Sequence, residues 1–562
     1  MTALGTSSTG PQHAFGPDPL VSEVVAGVLH QRAAATYGVM GNGNAFVVGS
    51  LFARAHRYVK ARHEAGAMSM AQGHYLATGN PAAVTTTYGP GYTNTLTVLA
   101  EAFIARTPIV LVVGQAPSSS PRPFDIDQTA AAAAMGVQTL TVGRNNVESL
   151  THRAFDLAER DLVPVVLSIP YDLAEVPATE QLPIQPLKSH EVKQPSEQDI
   201  SSIAELLAGA ERPLLIAGRG ALLSGAGSAI EELGDKLGAL FATSVMARHL
   251  VSSEWDLGIA GGFSTPGAAE LMRAADVVLV LGASMNTYQM RYGTLLQRAR
   301  AIVQVDQAPS PTNDIITHFA QADARLFAEA LASRVHEASR QTWRDEVPGV
   351  ADRSIHVPEE LPERGPDGRV NPRALAIRLN EILPRDRTIV QDGGHFLGWL
   401  AMYAEVPDPY ALQHPGLPFH SIGMGFPTAL GAALARPERF TLLTCGDGGG
   451  MMALADLETL VREAPRVLII VFNDSAYGME VHQYAARGIS AQPMVFDEVN
   501  FAAVGAALGA RSLTVTDLAQ LDEVSEWIAS EEPGAFLVDV KISPSFVAEY
   551  VTEKVAFDEA QR

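Results

Sequence analysis

The chain has 562 residues, and at roughly 150 residues per domain that length predicts about three or four domains. Its residues are 47% apolar and 18% charged, enough for large buried cores and too apolar for a globally disordered chain. A net charge of −22 repels phosphate backbones, and no apolar run reaches the roughly 18 residues of a membrane helix, so neither a nucleic-acid nor a membrane partner is expected.

Residues 1–17 lack the basic-then-apolar pattern of a signal peptide and read as a flexible segment of a cytoplasmic protein. From there, short apolar runs ending in Gly, Pro or Asp alternate with longer helix-compatible stretches. The runs 109–114 (IVLVVG) and 164–170 (PVVLSIP) belong to a first domain at 18–185. A stretch rich in Pro, Gln and Glu at 175–197 reads as an extended linker, because Pro removes backbone donors and resists helix. A central domain at 195–345 carries 214–218 (LLIAG), 277–282 (VVLVLG) and 301–306 (AIVQVD). A second Pro-rich linker is predicted at 346–372. The last domain, 365–545, carries 441–447 (TLLTCGD), 467–474 (VLIIVFND) and 536–542 (FLVDVKI), and 546–562 form a tail. Continuous apolar strands separated by helices predict an α/β architecture of three open, mainly parallel sheets flanked by helices. Cys445, the only cysteine, excludes an internal disulfide framework and reads as a small buried side chain within a strand.

The segment richest in chemistry is 444–480. An apolar strand ends in Gly446-Asp447-Gly448-Gly449-Gly450, a helix-compatible stretch follows, and a second strand ends at Asn473-Asp474. If those strands are neighbours, Asp447 and Asp474 emerge together at the carboxyl edge, where open α/β sheets bind ligands. The glycines let backbone N–H groups approach a phosphate, and a following helix N-terminus adds its positive end. Two hard oxygen ligands beside a phosphate suit Mg²⁺. The plainer alternative is a tight turn with Asp447 as a helix N-cap.

This spacing resembles the family of thiamine diphosphate (ThDP) enzymes that includes acetohydroxyacid (acetolactate) synthases, pyruvate oxidases, and benzoylformate and pyruvate decarboxylases. Their diphosphate–Mg²⁺ motif is GDG followed by an Asn pair; here Asp474, 27 residues after Asp447, stands where the family would carry Asn. The resemblance implies Asp447, Asp474 and the backbone carbonyl of Ala476 as Mg²⁺ ligands. It also implies Gly446, Gly448, Gly449, Tyr477, Gly478 and Met479 as cofactor neighbours. Asp for Asn adds a negative charge beside an anionic diphosphate. In the first domain, Glu64 lies in an RHE-x-x-A pattern whose glutamate binds the aminopyrimidine ring in the family. A carboxyl group there favours the imino tautomer, which removes the thiazolium C2 proton. Gly89, in the turn Gly89-Pro90-Gly91, is a further cofactor neighbour by the same likeness. In the last domain, Ile422 takes the position of the apolar wedge that bends ThDP, and the His420 carbonyl that of an acceptor for the 4′-amino group. His395 could donate to phosphate. The three domains then read as pyrimidine-binding, central Rossmann-like and diphosphate-binding. Glu64 and Asp447 of one site would come from different chains of a homodimer or homotetramer.

The reaction is less sharply marked. Glu480 lies six residues past Asp474, where the pyruvate decarboxylase branch has an acid near the reacting carbon. Asn42 stands in place of the acid after the first strand, and Gln128 is reminiscent of a substrate-facing glutamine in acetohydroxyacid synthases. The expected activity is therefore acetolactate-synthase-like decarboxylation of a 2-oxo acid with carboligation, a transferase or lyase. A decarboxylase releasing an aldehyde and a 2-hydroxyacyl lyase are the alternatives. FAD is not expected, because Gly282-Ala283-Ser284-Met285-Asn286 lacks the acidic-basic run of the flavin-dependent members. The glycines of 218–227 are too loosely spaced for a dinucleotide dehydrogenase.

Overall fold

The structure, a computed structural model, describes residues 18–337 and 341–562. The segment 1–17 expected to be flexible lies outside the described residues. Strands made only of Val, Leu and Ile have no polar face to give to water and must be covered on both sides. Val277–Leu281 (VVLVL) is buried at every position, and seven of the eight residues of Arg466–Asn473 are buried. The result is three six-stranded sheets whose pairings are all parallel.

The first sheet contains β1 (Thr36–Gly38), β2 (Tyr58–Lys60), β3 (Ala82–Thr86), β4 (Ile109–Gln115), β5 (Gln138–Thr141) and β6 (Val165–Pro170), in the order β2-β1-β3-β4-β6-β5. The second contains β7 (Pro213–Ala217), β8 (Leu240–Thr243), β9 (Asp256–Ile259), β10 (Val277–Leu281), β11 (Ala301–Asp306) and β12 (His318–Gln321), in the order β12-β11-β10-β7-β8-β9. The third contains β13 (Arg387–Gln391), β14 (Leu412–Gln413), β15 (Phe440–Gly446), β16 (Arg466–Asn473), β17 (Arg511–Val515) and β18 (Gly534–Lys541), in the order β14-β13-β15-β16-β18-β17. Cys445 is buried within β15, and burial pushes its thiol well above the ordinary range.

By compactness the chain forms two units, residues 18–75 with 80–189, and residues 76–79 with 190–562. The second unit thus holds both the second and the third sheet. An aromatic seam joins them: the Phe263 ring, just past β9, meets Tyr288, His414 and Tyr550 at centroid distances of 5.2, 5.8 and 5.5 Å. Arg291, nearly buried, pairs with Glu553 of the C-terminal helix Glu549–Ala560, its Nε donating at 2.8 Å. The expected linker at 175–197 is largely irregular chain. The one expected at 346–372 is instead folded back on the second sheet. It contains short 3₁₀ turns at Pro348–Val350 and Ser354–His356 and buries Val350 beside Trp343. Burial of Val350 against Trp343, just before the segment, outweighs the extended preference of its prolines. No helix among the described residues is long and apolar enough to cross a membrane.

Candidate active site

In the third sheet β15 and β16 are neighbours in parallel register, Gly446 opposite Phe472, so Asp447 and Asp474 leave the same edge side by side. Asp447 opens the helix Asp447–Met452 and is 1% exposed. The backbone N–H groups of Gly448 and Ser475 donate to its carboxylate, yet its Oδ2 has no partner among the described residues. Burial, reinforced by the charge of Asp474, pushes Asp447 up to about 7, and burial pushes Asp474 up to about 6. Asp474 thus disfavours the charge of its buried neighbour, and the charge of Arg369 only partly offsets the burial of Asp474 itself; a cation in this corner would relax both acids. Ser475 turns the chain sharply, at φ 62°. Ala476 then forms an antiparallel bridge with Val495, made by Tyr477 N–H to the Met494 carbonyl (2.8 Å) and Phe496 N–H to the Ser475 carbonyl (3.0 Å). Both bonds come from flanking residues, so the bridge leaves the Ala476 carbonyl free for another partner. No cluster of three or more His, Cys, Asp or Glu suited to a metal occurs among the described residues. An ion in this corner would hold two carboxylates and one carbonyl and take its remaining oxygens from water or ligand, as Mg²⁺ prefers.

The glycines are needed by packing as well as by chemistry. A Cβ on Gly448 would come within 2.6 Å of the Tyr477 ring, and one on Gly449 within 3.0 Å of Asp392 Oδ2. Asp392 itself, just past β13, opens the run Asp392-Gly393-Gly394-His395, which repeats the pattern of Asp447-Gly448-Gly449. It is 1% exposed and accepts the N–H groups of Gly393 (2.8 Å), Gly423 (3.1 Å) and Met424 (3.3 Å). Burial raises it to about 6 against the pull of those donors. Asp392 thereby ties the 420–424 loop to the sheet edge. In that loop His420 is exposed with φ 62°, and Ile422 is 40% exposed over Gly393, whose added Cβ would meet Ile422 Cγ2 at 2.7 Å.

His395 is buried beside this corner. Its Nε2 accepts the Ala548 N–H at 3.2 Å and its carbonyl accepts the Tyr550 hydroxyl at 2.6 Å. Burial, with the nearby His482 ring, lowers it to about 3, so the ring is neutral with its proton on Nδ1, the one ring nitrogen left to donate. Gly478 lies between His395 and Asp474, and Met479 packs partly buried against the core. Glu480, in the first turn of the helix Gly478–Tyr484, is exposed in the single chain.

In the first sheet Asn42, Glu64, Gly89 and Gln128 follow the carboxyl ends of β1, β2, β3 and β4 in turn. Glu64 begins the helix Glu64–Thr78; its Oε2 accepts Asn94 Nδ2 at 2.9 Å, and its Oε1 lies 3.2 Å from where a Cβ on Gly91 would stand. Gly89 has φ 61° and donates its N–H to Gln128 Oε1 at 2.7 Å. Gln128 Nε2 donates to the Gly114 carbonyl at 2.9 Å. The buried amide of Gln128 is thus engaged at both ends, holding the Gly89 turn to the end of β4. Asn42 is exposed and donates to the Tyr88 hydroxyl at 3.0 Å.

Residues 20–132, 200–331 and 392–540 match, in turn, the N-terminal TPP binding domain, the central domain and the C-terminal TPP binding domain of thiamine pyrophosphate enzymes. The chain belongs to the thiamine diphosphate enzyme family. Its relatives there include a Pseudomonas aeruginosa protein named probable 2-ketoarginine decarboxylase, 27% identical over 478 residues, covering 83% of this chain and 84% of that one. The large subunit of acetolactate synthase isozyme 1 of Escherichia coli is 28% identical over 509 residues, 86% of this chain and 87% of that one. A thiamine diphosphate-dependent 4-hydroxybenzoylformate decarboxylase of Rhodococcus jostii shares the fold of this ThDP enzyme. Its TM-score is 0.76 at 20% identity, over 93% of this chain and 99% of that one.

Proposed function

We propose that this ThDP enzyme decarboxylates a 2-oxo acid and transfers the remaining acyl unit to a second carbonyl compound. The observation that carries the reading is the pair of buried Asp447, with an unpartnered Oδ2, and partly buried Asp474, beside glycines where a Cβ would crowd Tyr477 and Asp392. This donor set fits a divalent cation and a diphosphate. ThDP, when bound, supplies the carbon nucleophile that attacks the substrate carbonyl and accepts the electrons left by CO₂.

The chain's own groups have separable tasks in this reading. Asp447, Asp474 and the Ala476 carbonyl hold the cation, and Gly446, Gly448, Gly449, Tyr477 and Gly478 make room for the diphosphate it neutralises. Ile422, with an exposed branched side chain, and the His420 carbonyl would help to hold ThDP, the first by apolar contact and the second as a hydrogen-bond acceptor. Glu64, fixed by Asn94, keeps a proton at the aminopyrimidine nitrogen and so sets its tautomer. Gln128 and Gly89 position the turn against which Glu64 rests. Glu64 of one chain serves the Asp447 site of another, which makes a homodimer the smallest active form. Carboligation is preferred on the likeness to acetolactate synthases, and aldehyde release with Glu480 as the proton donor is the alternative.

The test is a product assay with ThDP and Mg²⁺ on pyruvate, a branched 2-oxo acid and benzoylformate. A hydroxyketone supports the reading, whereas free aldehyde with CO₂ replaces it with the decarboxylase. Glu64→Gln is expected to keep ThDP and lose most turnover. Asp447→Ala is expected to lose metal-dependent ThDP binding; full ThDP occupancy in that variant would remove the metal assignment.

A further inference from the structure

We infer that Asp474 makes the acid corner a cation site in its own right, filled by a divalent ion in the apoprotein before ThDP arrives. The inference rests on the ThDP reading above and concerns the order in which that site is filled. Asp447 is 1% exposed with an unpartnered Oδ2. Asp474, partly buried at the end of the neighbouring strand, sets its Oδ2 against Gly478, 2.7 Å from where a Cβ would stand. Neither carboxylate makes an ion pair among the described residues. The nearby cations make their ion pairs elsewhere: Arg369 leans on Glu498 at 3.7 Å, its charge reaching Asp474 only from a distance, and Lys541 pairs with Glu498 and Asp539 at 3.0 Å each.

Two neighbouring carboxylates with no ion-pair partner of their own are a costly arrangement, because like charges disfavour one another and burial weakens solvation of both. A divalent ion removes that cost and gains Coulomb energy from two full charges at once. With a neutral amide at position 474 the protein would offer one charge, and the cation would depend on the diphosphate for the rest. With Asp474 the protein neutralises the ion by itself, and ligand charge is a principal control on affinity at oxygen-ligand sites. The order of binding follows. An empty corner presents negative charge to an arriving diphosphate, and a filled one presents the cation it needs.

The experiment is a calorimetric titration of full-length protein, stripped of metal and ThDP, with MnCl₂ alone, with ThDP alone, and with ThDP after Mn²⁺. Wild type is expected to take up one Mn²⁺ per chain without ThDP, above the background set by Asp447→Ala, and to bind ThDP only after Mn²⁺. Asp474→Asn is expected to bind Mn²⁺ alone about tenfold more weakly or worse while still binding Mn²⁺ and ThDP together. Equal Mn²⁺ affinity in wild type and Asp474→Asn would overturn the inference. So would wild type that takes up Mn²⁺ only once ThDP is added, an outcome that needs no variant to fold and leaves the cofactor reading standing. A protein that binds neither, separately or together, overturns both.

Discussion

Asp392 shows how a single side chain sets the shape of the diphosphate edge. Its two oxygens accept the N–H groups of Gly393, Gly423 and Met424. Asp392→Asn turns one acceptor into a donor facing backbone donors, and a buried mismatch of that kind costs about 1–3 kcal/mol. The variant is expected to unfold at lower urea and to bind ThDP more weakly, as the 420–424 loop loses its tie; an unchanged urea midpoint would contradict that role. The meeting of Asp447 and Asp474 at one sheet edge is legible in the sequence because each ends an uninterrupted apolar strand, and those strands are neighbours. The tie that Asp392 makes is not legible there, because its partner Gly423 lies 31 residues away and is a backbone group with no sequence signature. The sequence points to Gln128 as substrate-facing. Its engagement is not legible there, since both partners, the Gly89 N–H and the Gly114 carbonyl, are backbone atoms brought near by the fold.

At the scale of elements, the strands legible in advance were those buried on both faces, such as β10 and β16, whose apolar runs are uninterrupted. The three residues of β1 and of β2 carry Thr, Tyr and Lys, and only pairing with β3 and with each other makes them strands. The two-residue β14 is a similar case, and it delivers His414 to the seam between the second and third sheets. His414 is buried, stacked on Phe263, and neither ring nitrogen has a partner among the described residues. Burial lowers it from 6.5 to about 3. Between those values the unfolded chain binds a proton that the folded one refuses. Stability from this group is therefore full above pH 6.5 and is lost as pH falls toward 3, at up to about 1.4 kcal/mol per pH unit. His414→Phe keeps the stack and removes the titration, so its urea midpoint is expected to fall less than that of wild type from pH 6 to pH 4.5. Parallel curves would contradict this.

At the scale of the whole molecule, the account assigns the pyrimidine side of a site to one chain and the diphosphate side to another. That assignment predicts complementation. Glu64→Gln and Asp447→Ala chains, each inactive alone, are expected to regain activity when mixed under subunit exchange, because a hybrid dimer then holds one site with neither change. No recovery in a mixture shown to contain hybrids would place both residues of a site on one chain. The measurement closest to the central claim requires no knowledge of the substrate: hydrogen–deuterium exchange at the thiazolium C2 of ThDP bound to the protein with Mg²⁺. Rapid exchange in wild type, slowed about 100-fold or more in Glu64→Gln with ThDP still bound, is the predicted result. Equal exchange rates in the two proteins would contradict it.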